Sequence, residues 1–180
     1  MSRAFVKEDD AGQPPIIPPR AALPPGTPNY VTPQGLELLR AEMAELEAER
    51  SQIEASREEE GDRTRRLTIL NGRMSALSER LATAKLIDPR TQPPDEVRFG
   101  ATVRLRTLSG LQPGLERSFT IVGIDEASVA EGRVAFVAPI ARAVVGKRKG
   151  DKAQLRMARQ VEEVEILDIQ YGDPTNDQKA

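Results

Sequence analysis

The chain has no cysteine, no histidine and no tryptophan, and its aromatics amount to two tyrosines and four phenylalanines in 180 residues. Without cysteine there is no disulfide framework and no thiolate metal site. Without histidine neither a Ser-His-Asp triad nor an imidazole-bound metal can be built, so any metal would be a hard ion held by carboxylates. So few aromatics exclude a large aromatic core. A net charge of −2 does not favour general nucleic-acid binding, and contact with DNA is expected to be indirect at most. No apolar run approaches the length of a membrane span, and the N-terminus lacks the apolar region of a signal peptide. These absences predict a soluble, cytoplasmic protein with no membrane contact.

What the chain does have is a heptad seam, repeated in mirror image. Leu36, Leu39, Met43, Leu46, Arg50 and Ile53 step by alternating three and four, and so do Leu67, Leu70, Met74, Leu77, Leu81 and Ala84. This spacing predicts an antiparallel coiled-coil hairpin over residues 32–88. The two seams mirror each other about position 60, which places the turn there, with Gly61 supplying a left-handed residue and Asp62 capping the second helix. Each arm of about 25 residues makes a rod of roughly 40 Å. Thr32 suits the N-cap of the first helix, Pro33 its first position, and Val31 a hydrophobic staple. The first arm carries nine acidic and three basic residues from Pro33 to Glu60, and the second six basic and three acidic from Asp62 to Asp88. Opposite charge on the flanks sets register, while the leucines carry the stability. Arg50 occupies a seam position and is expected to turn its charge outward. The mirror symmetry predicts closure within one chain and a monomer, although a swapped dimer satisfies the same pairing.

Before the hairpin, residues 1–31 hold Pro14, Pro15, Pro18, Pro19, Pro24, Pro25 and Pro28. Such density predicts an extended or disordered arm. It is either a solvated tail or a segment that folds on a partner, with Phe5, Val6, Ile16 and Ile17 as its hydrophobic anchors. After the hairpin, Asp88-Pro89 is expected to end the second helix, and residues 89–96 form a stiff linker. From 97 to 172 the period becomes alternating. Strands are predicted around 97–99, 102–106, 118–122, 133–137, 154–157 and 161–171, with a short helix at 140–145. The fold class is α+β: the hairpin, then a small antiparallel sheet domain with one helix. Residues 173–180 read as a disordered tail.

Chemistry concentrates at the rod's tip. Glu58, Glu59, Glu60 and Asp62 lie within five positions, and carboxylates held at an exposed turn can share a Mg²⁺ ion, weakly unless another protein adds ligands. Arg57, Arg63, Arg65 and Arg66 cancel that charge, so an acidic helix end with a capping aspartate is the competing reading. In the C-terminal part, Lys147, Arg148 and Lys149 read as a solvated basic turn, with contact to nucleic acid or an acidic protein surface as the alternative, and Asp125-Glu126 as a loop available for docking.

Phe119-Thr120-Ile121-Val122-Gly123-Ile124-Asp125-Glu126-Ala127, then Ala138-Pro139-Ile140-Ala141-Arg142-Ala143-Val144-Val145-Gly146-Lys147, together with Phe99-Gly100-Ala101, resemble the Gre family of bacterial transcription elongation factors, GreA and GreB. The resemblance covers residues 31–172. It implies an FKBP-like C-terminal domain that docks on RNA polymerase through residues such as Asp125, Glu126, Pro139, Ile140 and Ala141. It implies a coiled coil that enters the secondary channel and tip carboxylates that support hydrolysis of the 3′ end of backtracked RNA. The chain would then be no enzyme itself, but at most a cofactor for the polymerase, and would bind no ion stably beyond a shared Mg²⁺. The family tip reads Gly-Asp-Arg/Leu-x-Glu-Asn. Here Gly61 and Asp62 match, while Arg65 stands at the second acid and Arg66 at the asparagine. Asp62, with Glu59 or Glu60, is left as the candidate catalytic and metal-holding set. The hairpin is also about two turns shorter per arm than the family pattern. Three readings follow. The first is a Gre-like factor that modulates elongation with residual cleavage. The second is a channel-occupying regulator without cleavage, whose Arg65 and Arg66 touch RNA, nucleotide phosphates or channel acids. The third is a coiled-coil adaptor whose domain is a docking module without polymerase. An FKBP-like sheet need not be an isomerase, and the domain has too few aromatics to line a proline pocket.

Overall fold

The structure is a computed structural model that describes residues 15–17, 19–57, 59–157 and 160–172. Phe5, Val6, Glu58 and the tail at 173–180 lie outside the described residues. The rod forms as the seam dictates. Helix α1 spans Pro33–Ala55 and α2 spans Glu60–Ala82, 23 residues each, or about 35 Å of rise. Leu39, Leu46, Ile53, Leu70 and Leu77 are buried between them, flanked by half-buried Leu36, Met43, Leu67, Met74, Leu81 and Ala84. Arg50 keeps 44% of its side chain exposed and lies 3.6 Å from Glu54, as a charged residue in a seam must. Thr32 is the N-cap of α1, its hydroxyl accepting from the Gly35 N–H at 3.0 Å, and Val31 is buried in the seam cluster.

The turn differs from expectation. The connection is 56–59, not centred on 60, and Gly61 sits inside α2. Helix α1 stops because Ser56 turns extended and donates both its N–H and its hydroxyl to the Ile53 carbonyl, at 3.1 and 2.8 Å. No left-handed glycine is needed. Glu59, not Asp62, occupies the N-cap of α2, with no side-chain cap bond, and Glu60 and Asp62 fill the first turn, where negative charge complements the helix dipole.

Helix α2 also ends earlier than Asp88-Pro89. The Thr83 hydroxyl donates to the Glu79 carbonyl at 2.9 Å and the Asn29 amide to the Arg80 carbonyl at 2.8 Å. The helix's last acceptors are thus satisfied by side chains at its base. The freed chain makes a two-stranded parallel pairing of β1 (Tyr30–Val31) with β2 (Lys85–Leu86).

The second unit is a five-stranded sheet. Its strands are β3 (Ala101–Ser109), β4 (Glu116–Val122), β5 (Arg133–Ala135), β6 (Lys152–Met157) and β7 (Gln160–Tyr171), in spatial order β5-β4-β3-β7-β6. It is mixed rather than antiparallel, because β5 runs parallel to β4. Residues 97–99, expected as strand, instead follow an isolated bridge at Glu96 and lead into a turn at Phe99-Gly100. Alternation sends Ala101, Val103, Leu105, Phe119, Ile121, Leu155, Val164 and Ile166 into one core, closed by Ala141 and Val144 of helix α3 (Pro139–Val144). The inward phase of β7 switches from even to odd positions because its pairing with β3 skips a residue. Arg104 faces Asp168 but Leu105 faces Ile166, so Leu167 has no cross-strand partner in that register, a β-bulge. Among the described residues no helix is long and apolar enough to cross a membrane.

Candidate functional site

At the far end of the rod, Glu59, Glu60 and Asp62 are all exposed. Asp62 lies three and four residues before Arg65 and Arg66 on one helix, a spacing that puts the three on the same face. Both arginines are exposed as well. Among the described residues no three acidic side chains converge as a group able to hold a metal ion. The described part of the tip exposes carboxylates and guanidinium groups side by side.

The other end of the rod is buried in a polar junction. Glu126, in the short helical turn after β4 (Ile124–Glu126), is 4% exposed. Its carboxylate accepts the Thr32 N–H at 3.1 Å, the Gly123 N–H at 3.2 Å and the Thr32 hydroxyl. One carboxylate thus ties the N-cap of α1 to the sheet domain. The approach is close enough that a Cβ on Gly35 would fall 2.1 Å from the Glu126 carboxyl carbon, so only glycine fits there. Asp125 beside it pairs with Arg20 at 2.6 Å and Arg80 at 3.3 Å, its side chain 9% exposed. Arg20 reaches on to Glu42 of α1 at 2.5 Å. Burial disfavours the Arg20 charge, but the bonds and charges of Glu42 and Asp125 outweigh it and raise its pKa above the ordinary arginine value. Two cations and two anions close this cluster with no net charge.

Asp125 and Glu126, expected as a loop available for docking, are bonded within the chain. A carboxylate in so dry a place needs donors. Ala141, also expected at a partner surface, is fully buried under the sheet. Ile140 is half-buried against the same core, and Pro139 alone of that trio is exposed. Sequence reasoning missed Arg20 and Arg80. No local signal marks either one, since their partner Asp125 lies 105 positions from Arg20.

Three of the scarce aromatics meet at the hairpin base. Tyr30, at the hairpin base, meets Phe99 at 5.7 Å and Phe136 at 5.5 Å between ring centres, and the two phenylalanines lie 5.8 Å apart. With Ile121, Arg98 and Arg142 they line a cleft of about 470 Å³. A count of aromatics in the sheet domain could not see this, because Tyr30 comes from before the hairpin.

The sequence profile of the family described as "Transcription elongation factor, GreA/GreB, C-term" matches residues 92–171. The chain is 36% identical over 159 residues to transcription elongation factor GreB of Neisseria meningitidis (serogroup A, strain Z2491), covering 81% of this chain and 95% of that relative. It is 36% identical over 124 residues to transcription elongation factor GreA of Methylococcus capsulatus, covering 68% of this chain and 72% of the relative. A solved GreA/GreB factor from Nitrosomonas europaea superposes on 81% of this chain and 99% of its own at 21% identity, with a TM-score of 0.39. A superposition that loose adds nothing to the sequence similarity.

Proposed function

Because the chain belongs to the GreA/GreB family of transcription elongation factors, we propose that it binds RNA polymerase and modulates elongation by inserting its hairpin into the polymerase's secondary channel. The sheet domain, FKBP-like if it follows the family, is the docking module. The observation that carries this reading is the rod itself: two 23-residue helices held at one end in a buried junction, with Glu59, Glu60 and Asp62 exposed at the other. A reaching element of this kind has no use within the chain.

At the tip, occupancy of the channel is better supported than cleavage. Arg65 and Arg66 share a helix face with Asp62, and a guanidinium beside a carboxylate works against a bound cation at close range. Any Mg²⁺ would depend on ligands the polymerase brings, with Asp62 as this chain's contribution and Glu59 or Glu60 as its neighbours. The exposure of Asp62 in the first turn of α2 keeps a second reading in play, stimulation of the polymerase's own RNA hydrolysis. Catalysis in that case belongs to the polymerase, with the RNA 3′ end as substrate.

RNA cleavage in stalled, backtracked elongation complexes tests both, comparing wild type, Asp62→Ala and Arg65→Glu with Mg²⁺ present. Under the occupancy reading wild type is inert in cleavage, slows nucleotide addition, and gains cleavage in Arg65→Glu. Stimulated cleavage that Asp62→Ala abolishes establishes the second reading instead. Failure to co-purify with polymerase removes both.

A further inference from the structure

Over its described length the proline-rich arm touches both the rod and the sheet domain, while Ile16 stays 88% exposed. We propose that residues 15–17 and 19–28 act as an internal strap that fixes the angle between the hairpin and the sheet domain, with Ile17 as its anchor and Arg20 as its pin.

Three observations carry this. First, Ile17 lies against Gly72 at the middle of α2. A Cβ built on Gly72 would come within 2.3 Å of the Ile17 Cδ1 and 3.1 Å of both its γ carbons. Gly72 is a notch at the middle of the helix, and Ile17 sits over it. Second, Arg20 touches both bodies at once, through Glu42 of α1 at 2.5 Å and Asp125 of the sheet domain at 2.6 Å, with its side chain 19% exposed. Third, the next residue is held by its backbone, since the Arg80 guanidinium donates to the Ala21 carbonyl. Arg80 itself pairs with Asp125. The pin therefore crosses the seam between α1, α2 and the 124–126 turn, and a rotation of the rod about its base must break at least one of these bonds.

Composition fits the role. Pro15, Pro19, Pro24, Pro25 and Pro28 restrict the free arm to extended conformations, so ordering it along the rod loses less entropy than ordering a flexible segment. The arm then turns at Gly26, where φ is 73°, and delivers Asn29 to the carbonyl end of α2. The strap is continuous with the base it stiffens.

The absence of cysteine makes the test direct. Spin labels on Thr64→Cys near the tip and Gln170→Cys on β7, both exposed, report the distance distribution between rod and sheet domain. It is measured in the wild-type background, in Arg20→Gln and in Gly72→Ala. The alanine variant leaves the hairpin intact, because alanine favours helix over glycine. It nevertheless presses on the arm, since a χ2 rotation that clears Cδ1 leaves both γ carbons 3.1 Å from the new Cβ, closer than ordinary van der Waals contact. The expected result is one narrow distribution in the wild type, at least doubled in width in both variants. Tryptic cleavage after Arg20 should speed up about tenfold in Gly72→Ala, the factor that 1.4 kcal/mol of lost contact gives. Helical content by circular dichroism should be retained in every variant. An unchanged width in both variants overturns the proposal. So does faster cleavage in Gly72→Ala without broadening, which would make the arm a bound passenger rather than a strap.

Discussion

Replacing Glu126 by alanine is expected to destabilise the protein by about 3–5 kcal/mol, whereas glutamine at the same position should cost only about 1 kcal/mol. The difference follows from which oxygen does what. One carboxylate oxygen accepts both backbone N–H groups, from Thr32 and Gly123, and the other accepts the Thr32 hydroxyl. Alanine leaves two buried backbone donors without an acceptor, and each such loss costs about 1–3 kcal/mol. The Thr32 hydroxyl loses its acceptor too, but it can rotate. Glutamine can place its carbonyl oxygen on the two N–H groups and turn its amide towards Thr32, whose oxygen has a second lone pair beyond the one serving Gly35. Urea unfolding followed by far-UV circular dichroism reads both. With a slope near 2 kcal/mol per molar urea, alanine should lower the midpoint by about 2 M and glutamine by about 0.5 M. Gly35→Ala is the companion variant. In an ordinary helix interior it stabilises by about 1 kcal/mol, but here the new Cβ meets the Glu126 carboxyl carbon, and stability should fall. Equal losses for alanine and glutamine, or an alanine loss under about 1 kcal/mol, would refute the reasoning that this carboxylate acts by satisfying buried donors.

Arg50→Leu should raise stability by about 1 kcal/mol by completing the apolar seam at a half-exposed position, measurable as a higher urea midpoint. Asp62→Ala should cost only about 0.5 kcal/mol, the worth of one exposed acid in the first turn of a helix, so a functional loss in that variant will not trace to unfolding. Tyr171 predicts a pH effect. Burial raises its phenol above the ordinary value near 10, against a smaller opposing influence of Arg98, so the folded state holds that proton more tightly than the unfolded chain. Its contribution is complete below about pH 10 and falls as pH rises beyond it. Tyr171→Phe loses the bonds to the Glu96 carbonyl and the Arg98 N–H, should cost about 1–2 kcal/mol at neutral pH, and should show a shallower alkaline decline than wild type.

The rod was legible in the sequence because a heptad is a local pattern that one strip of side chains repeats. Leu39, Leu46, Leu70 and Leu77 announced it, and Thr32-Pro33 announced where it begins. The ends nearest the turn and the linker were not legible. Gly61 and Pro89 look like punctuation, but Ser56 and the pair Thr83 and Asn29 supply the missing hydrogen bonds first, and a helix stops where its carbonyls are satisfied otherwise. The strands of the sheet domain were visible from their alternation. The parallel placement of β5 was not, since it depends on the chain's route through the turns at 124–131. The internal partners of Asp125 and Glu126 were hidden for a similar reason. Two acids after a glycine look like a solvated loop until Arg20, Thr32 and Arg80 arrive from elsewhere in the chain. The tip acids themselves were visible, and the structure adds where each stands on α2.

Among the described residues, the contacts named above that hold the rod to the arm and sheet domain fall at Thr32, Gly35, Glu42, Gly72 and Arg80, in the half nearer the base. That makes the hairpin a cantilever. Over a length of about 35 Å, 5° of play at the support carries the tip sideways by about 3 Å, more than the tolerance within which groups at a reacting centre must be placed. The position of the tip relative to the sheet domain is therefore set at the opposite end of the rod, by a carboxylate and a few arginines far from it in the fold.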